Sequence, residues 1–348
     1  MSRRRTPARV AVCIGIAALF SLVPVQAQSS KDFEQGLADF KSSNYSSALA
    51  NFARAEAASP GATDALLYEA KCRIHLNQFA EAEKALRNYL SAHHNSADAT
   101  YLLGFVLHRQ NRPTESLAIY TQAAALVPPT SDDLKIVGLN YVLLRDTPDA
   151  IKWLGKSVEF DPNNKDAWYY LGRAYFSASR LGDARKAFLS LLSLDPHDVR
   201  AEDNLGLILE TEGQPKAAAD AYRQAIEWQQ QSLRPSEQPY VNLGSLLMEQ
   251  GQTKEALESL QRAVEIAPAN AYCRLKLGVY YHKAGQLDDA QRELEKAAQL
   301  DPENAAAHYQ LGRLYKDIHA MDRAQAEFDR AAELQTRAAG SRPSLPNN

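Results

Sequence analysis

Few residues in this 348-residue chain are spaced for chemistry. The adjacent His93 and His94 are the first candidates for a metal pair. Neighbouring residues at a helix end face apart and no third ligand stands nearby, so a capping or loop role is expected instead. His282 and His308 fall on neighbouring structural units, yet no Cys or carboxylate at ligand spacing joins them, and no metal is expected there either. Asp288-Asp289 and Asp32 read as helix-start residues, where a carboxylate caps free N–H groups and meets the positive end of the helix dipole. No Walker-type Gly-rich loop with Lys-Ser or Lys-Thr, no Gly-x-Ser-x-Gly, no His-Glu-x-x-His and no Cys-x-x-Cys occurs. Neither enzymatic activity nor a cofactor is expected.

Charge narrows the partners. The formal net charge is -3. Arg3, Arg4, Arg5 and Arg9 are the only charges in the first 27 residues, so the remainder carries 35 bases against 42 acids. That balance argues against nucleic acid, whose phosphates demand a surplus of Lys and Arg. The same four arginines form a basic n-region ahead of the apolar run Val10 to Val23, which is short for a membrane span. Val25-Gln26-Ala27 then supplies small residues at signal-peptidase spacing, so residues 1–27 are read as a cleavable signal peptide with Gln28 as the first mature residue. The expectation is export, to the periplasm or outside the cell if the source is bacterial, with no transmembrane segment after cleavage. The rival is a retained signal anchor. Cys72 and Cys273 are the remaining thiols, too far apart in a repeat array to pair, and are expected free, with Cys72 buried.

The elements that hold these residues are legible from one period. Gly36, Gly104, Gly138, Gly172 and Gly206 are spaced by 34 residues or twice that, with Ala70 in the gap. After a four-residue insertion the series resumes at Gly244, Gly278 and Gly312. Leu103, Val137, Leu171, Leu205, Leu243, Leu277 and Leu311 precede the glycines. Twelve residues after each slot stands a second small residue: Ala48, Ala82, Ser116, Ala150, Ala184, Ala218, Ala256, Ala290 and Ala324. Pro60, Pro128, Pro162, Pro196, Pro268 and Pro302 end most units, and Pro113, Pro148 and Pro215 fall where a second helix begins. Each unit reads as two amphipathic helices of about 13 residues whose small columns allow close approach.

These residues resemble the tetratricopeptide repeat, most fully in Trp168-x-x-Leu171-Gly172-x-x-Tyr175 with Ala184, Phe188 and Pro196. The resemblance runs over about residues 29 to 338 and implies an all-α fold, a right-handed superhelical solenoid of nine helix-turn-helix units. Repeats one to six are placed at 28–232, an insertion at 233–236, repeats seven to nine at 237–338 and a disordered tail at 339–348. Ile226 to Ser232 is read as a lengthened second helix. Asp32, Gln35 and Asp39 give the first unit a wet outer face. The last unit lacks a solvating helix, which leaves that end open to self-association of an otherwise monomeric chain.

By resemblance, the first helices line a concave groove. Its candidate partner-binding residues are Tyr101 and Phe105, with His108 and Arg109 beside them; Tyr169, Tyr170, Arg173 and Phe176; Asn204; Asn242; Lys276 and His282; and Tyr309 and Arg313. Aromatic rings bury area at low entropy cost, Arg adds charge-assisted bonds, and Asn pairs with both backbone groups of an extended peptide. The Lys-Asn clamp that some relatives use for C-terminal carboxylates is only partly present, in Lys135, Arg200 and Asn204, and that mode is not expected. The expected function is a protein- or peptide-binding scaffold of the cell envelope or extracellular space. The alternatives are a lumenal or periplasmic co-chaperone, or the regulatory subunit of a separate enzyme such as a glycosyltransferase or polysaccharide-export machinery.

Overall fold

The structure, a computed structural model, describes residues 25–61 and 64–340. Most of the expected signal segment and the chain beyond residue 340 lie outside the described residues. Among the described residues every regular element is an α-helix, eighteen in all, and none is long and apolar enough to cross a membrane. The chain divides into two compact units at Pro129 and Thr130, so residues 233–236 sit inside the second unit.

The first unit holds α1 (Val25–Lys41), α2 (Tyr45–Ala58), α3 (Ala65–His75), α4 (Phe79–Ala92), α5 (Ala97–Arg109) and α6 (Pro113–Leu126). The second holds α7 (Ser131–Leu143), α8 (Thr147–Phe160), α9 (Lys165–Ser177), α10 (Leu181–Leu194), α11 (Val199–Thr211), α12 (Pro215–Trp228), α13 (Gln238–Glu249), α14 (Thr253–Ile266), α15 (Ala271–Lys283), α16 (Leu287–Leu300), α17 (Ala305–Asp317) and α18 (Met321–Gly340). Within each unit a helix packs on its sequence neighbours and, more lightly, on the next but one. That is the short-range contact pattern of a repeat array.

Every helix pair but α3–α4, where Ala70 holds the slot, closes on the glycine column. Sixteen residues after each glycine a large side chain lies flat against it: Phe52 on Gly36, Tyr120 on Gly104, Phe188 on Gly172, Tyr222 on Gly206. Leu154, Leu260, Leu294 and Phe328 take the same place in the remaining pairs. A Cβ at Gly172 would stand 2.7 Å from the Phe188 ring, so the missing side chain is what lets the helices touch. The second small column is buried, from Ala48 to Ala290, and at Ser116 the hydroxyl donates to the Gly104 carbonyl at 2.7 Å.

The turn inside each pair is equally regular. Ser43, Asn77, Asn111, Arg145, Ser179, Gly213, Gly251, Gly285 and His319 all take a left-handed backbone conformation. The next residue's N–H reaches back to a carbonyl five residues earlier, as in Asp146 to Tyr141 at 2.9 Å. This is the Schellman closure, which satisfies the last carbonyls of the first helix.

Three expectations need correction. Asp32 lies well inside α1, because that helix begins at Val25, and it pairs with Arg54 at 3.4 Å instead of capping a helix start. The helix at Ile226 is not lengthened: α12 ends at Trp228, with 14 residues like α10 and α14. The buried Gln229 side chain ends it by folding onto Ser236, donating to its carbonyl at 2.9 Å and accepting from its N–H at 2.7 Å. The loop backbone is thereby satisfied without a further helical turn. Finally, α18 runs to Gly340, beyond the expected end at 338. The polar first unit is seen directly, with Asp39 accepting from Ser47, Asn51 and Gln35 at 2.6, 2.7 and 3.1 Å.

Candidate partner-binding groove

The first unit carries two of the candidate residues, both on α5. The Tyr101 hydroxyl donates to the Val127 carbonyl at 2.7 Å, which fixes the ring across the end of α6. Phe105 lies 5.8 Å from the Arg109 guanidinium, which also covers Phe79.

In the second unit, α9 and α11 bring several candidates together. Tyr169, Arg173, Arg200, Asp203, Asn204 and Pro239 share a cavity of about 490 Å³. The Tyr169 ring is flanked by Arg200 at 4.7 Å and Arg173 at 5.9 Å, and its hydroxyl accepts from Arg173 at 3.3 Å. Arg200 is held in turn by Asp198 at 2.9 Å and Asp166 at 3.1 Å. Asp198 also caps α11 by accepting from the Ala201 N–H, so the helix start and the guanidinium are positioned by one carboxylate. Ser236, the last residue of the insertion, and the start of α13 supply a further wall. Gln229 anchors Ser236, and residues 236–239 close over α11.

Asn204 and Asn242 are not solvent-facing. Both are only 8% exposed. Asn204 donates to the Arg200 carbonyl at 2.7 Å, and Asn242 donates to Asp203 at 2.8 Å while accepting from Gln238 at 3.0 Å. Asn242 therefore stands behind Asp203 rather than on the cavity wall, and its amide group is already committed on both sides. Asn204 is engaged by its own helix, and Asn242 by Gln238 of its own helix and Asp203 of α11, so the bonds expected for a peptide backbone are made within the protein.

Asp203 is the main residue that sequence reasoning missed. It occupies the column of Tyr101 and Tyr169, one repeat on, yet is 4% exposed. Burial pushes its carboxyl up to about 7, against the Asn242 hydrogen bond and the Arg173 charge that pull it down. The available signal was an acid in a column that otherwise holds Phe33, Tyr101, Tyr169 and Tyr309, the aliphatic Leu67, Val241 and Leu275, and Lys135.

Tyr170 and Arg173 also line a second cavity, of about 350 Å³, with Leu139 and Val142 of α7. Phe176 lines the first cavity as well, whereas Lys276, Tyr309 and Arg313 lie apart from both. Lys276 stands over the Tyr272 ring at 5.3 Å, Tyr309 packs on Phe328 at 5.7 Å, and Arg313 is exposed on α17. The histidines are engaged locally: His93 stacks on Tyr89, His282 meets Asp317 at 2.8 Å, and His308 meets Glu327 at 2.6 Å. Asp288 and Asp289 do fall in the first turn of α16. Cys72 and Cys273 are free and buried, their thiols pushed up to about 11 and about 12, mainly by desolvation.

The pattern described as tetratricopeptide repeat matches residues 39–104, 247–297 and 281–339 in one form and 138–199 and 178–235 in another. The chain belongs to the tetratricopeptide repeat family. Bovine BBSome complex member BBS4 is 33% identical over 97 residues, 28% of this repeat protein and 18% of that one. Superkiller protein 3 of Saccharomyces cerevisiae is 28% identical over 68 residues, 20% of this chain and 5% of that protein. The repeat protein thus spans less than a fifth of either relative. Among solved structures, the APC/C hetero-tetramer Cut9–Hcn1 superposes with a TM-score of 0.52 at 18% identity, covering 90% of this chain and 68% of that one. That likeness is one of fold, a tetratricopeptide solenoid.

Proposed function

We propose that this repeat protein is a non-enzymatic scaffold that holds an extended segment of another protein on the α7, α9 and α11 face of its second unit. The observation that carries the reading is the placement of Tyr169, Tyr170 and Arg173, which line two adjoining cavities with aromatic and guanidinium surface. Such residues dominate binding energy at protein contacts because they bury area with few rotamers and add charge-assisted bonds. A relative whose name places it in a multiprotein complex fits the same reading. We further infer export through residues 1–27, on the strength of the basic n-region and the apolar run that follows it.

The test is co-purification from the native envelope or secreted fraction, with wild type beside a Tyr169→Ala/Arg173→Glu variant whose helical circular dichroism is unchanged. A partner held by wild type and lost by the variant is expected. A partner held equally by both would sink the groove assignment. Export is read by N-terminal sequencing of the mature protein, which is expected to begin at Gln28. A chain that retains Met1 in the cytosol would overturn it.

A further inference from the structure

The cavity between α7, α8 and α9 differs in character from its neighbour. Its floor is apolar, formed by Leu139, Val142, Tyr170 and Ala174, within about 350 Å³. Val142 is 46% exposed, a large apolar side chain left facing the opening. Arg145 and Arg173 also line it, and no carboxylate does.

Those two arginines, like Arg109, Arg234 and Arg313, form no ion pair with a carboxylate among the described residues, unlike most arginines of this protein. Arg112, Arg180, Arg200, Arg223 and Arg292 each pair with a carboxylate within hydrogen-bonding distance. Among the described residues neither Arg145 nor Arg173 makes an ion pair; Arg173 meets the Tyr169 hydroxyl and ring, and its charge also acts on the buried Asp203 carboxyl across the neighbouring cavity. The acids nearest Arg145 in sequence are used elsewhere. Asp146 caps α8 by accepting from the Asp149 N–H at 3.2 Å, and Asp149 reaches Lys152 at 3.6 Å. Arg145 also occupies the left-handed turn position that Gly213, Gly251 and Gly285 fill in later pairs. A long cationic side chain therefore stands where the backbone favours glycine.

We propose that this cavity selects a partner segment bearing an apolar side chain with a carboxylate one or two residues away. The apolar side chain enters against Leu139, Val142 and Ala174, and the carboxylate takes the donors of Arg145 and Arg173. A guanidinium offers a planar fork matched to two carboxylate oxygens, and an arginine outside any ion pair gives up no salt bridge on binding. This inference rests on the groove reading and names the class of segment that the groove accepts.

Fluorescence anisotropy at low salt tests it on the full chain, with the labelled peptide Gly-Ser-Gly-Leu-Asp-Leu-Glu-Gly-Ser-Gly as probe. One counterpart carries Asn and Gln for the two acids, and another carries Ser for the two Leu. The acidic, apolar peptide is expected to bind about tenfold tighter than its amide counterpart, the ratio one charge-assisted contact supplies. Arg145→Gly, compatible with the left-handed turn, is expected to erase most of that ratio while the protein stays folded, and adding Arg173→Gln to erase the rest. Equal affinity for acid and amide peptides, both lost in Tyr170→Ala, would overturn the acidic preference and leave the groove standing. Serine peptide bound as tightly as the leucine one would overturn the apolar half. No binding of any peptide up to about 1 mM would sink the groove reading and the preference together.

Discussion

At the scale of single residues, Asp203 has the largest thermodynamic leverage. Its carboxyl is buried, accepts from Asn242, and is pushed up to about 7. An unfolded Asp titrates near ~3.9, so between about pH 4 and about pH 7 the folded chain binds a proton that the unfolded chain has released. Its contribution to stability is therefore fully present below about pH 4 and is lost as pH rises through about 7. Asp203→Asn keeps an acceptor for Asn242 and removes the buried charge. We predict that the variant gains on wild type as pH rises, by on the order of 1–3 kcal/mol at pH 8 and by little at pH 4.5. Urea unfolding at the two pH values reads this directly; a difference independent of pH would refute it. The neighbouring cavity carries Arg173, so the state of Asp203 also sets part of the field that a bound segment meets.

Helix pairs obey a steric rule that separates two kinds of glycine. Gly172 faces the fully buried Phe188 ring, whereas Gly155 in α8 has open space where its Cβ would stand. A leucine at the first forces the helices apart; an alanine at the second only removes backbone freedom from the unfolded chain. We predict that Gly172→Leu destabilises by about 1–3 kcal/mol through overpacking. Gly155→Ala is expected to stabilise by about 0.5–1 kcal/mol through helix propensity. Thermal melts of both variants provide the check, and a stabilising Gly172→Leu would mean the pair relaxes without cost. The insertion belongs to this scale too. Gln229 ends α12 with two hydrogen bonds to one loop residue, and the same closure brings residues 236–239 against α11. Of the insertion, Ser236 thereby joins the start of α13 in lining the cavity.

For the molecule as a whole, the chain divides into two compact units between Pro129 and Thr130, and within each unit contacts run chiefly between helices adjacent in sequence. In such arrays stability is close to a sum over neighbouring repeats, so a run of several pairs folds without distant help. The unit from Thr130 opens with a complete cap of its own: Thr130 accepts from the Asp133 N–H, and Asp133 returns a bond to the Thr130 N–H. We predict that residues 130–340 expressed alone are helical by circular dichroism and melt cooperatively, with the Tyr169 and Arg173 surface present. A fragment that stays unfolded would show that the second unit depends on the first.

The repeat family, the helix pairing and the columns that hold Tyr169, Tyr170 and Arg173 were all legible in the amino-acid sequence. The reason is physical: a small residue, glycine in every pair but one, lets a helix pack closely on a large side chain, and the constraint is local to one hairpin. What the tertiary structure decided was which polar side chains in those columns remain available. Asn242 finds Asp203 across 39 residues, and Gln229 finds Ser236 across a loop, partners that spacing alone does not bring together. Arg145 and Arg173 stay outside ion pairs, while Asp146 caps a helix, Asp149 meets Lys152 and Asp203 accepts from Asn242. Periodicity specifies where a side chain sits; only the packed neighbours settle whether its hydrogen-bonding capacity is already used.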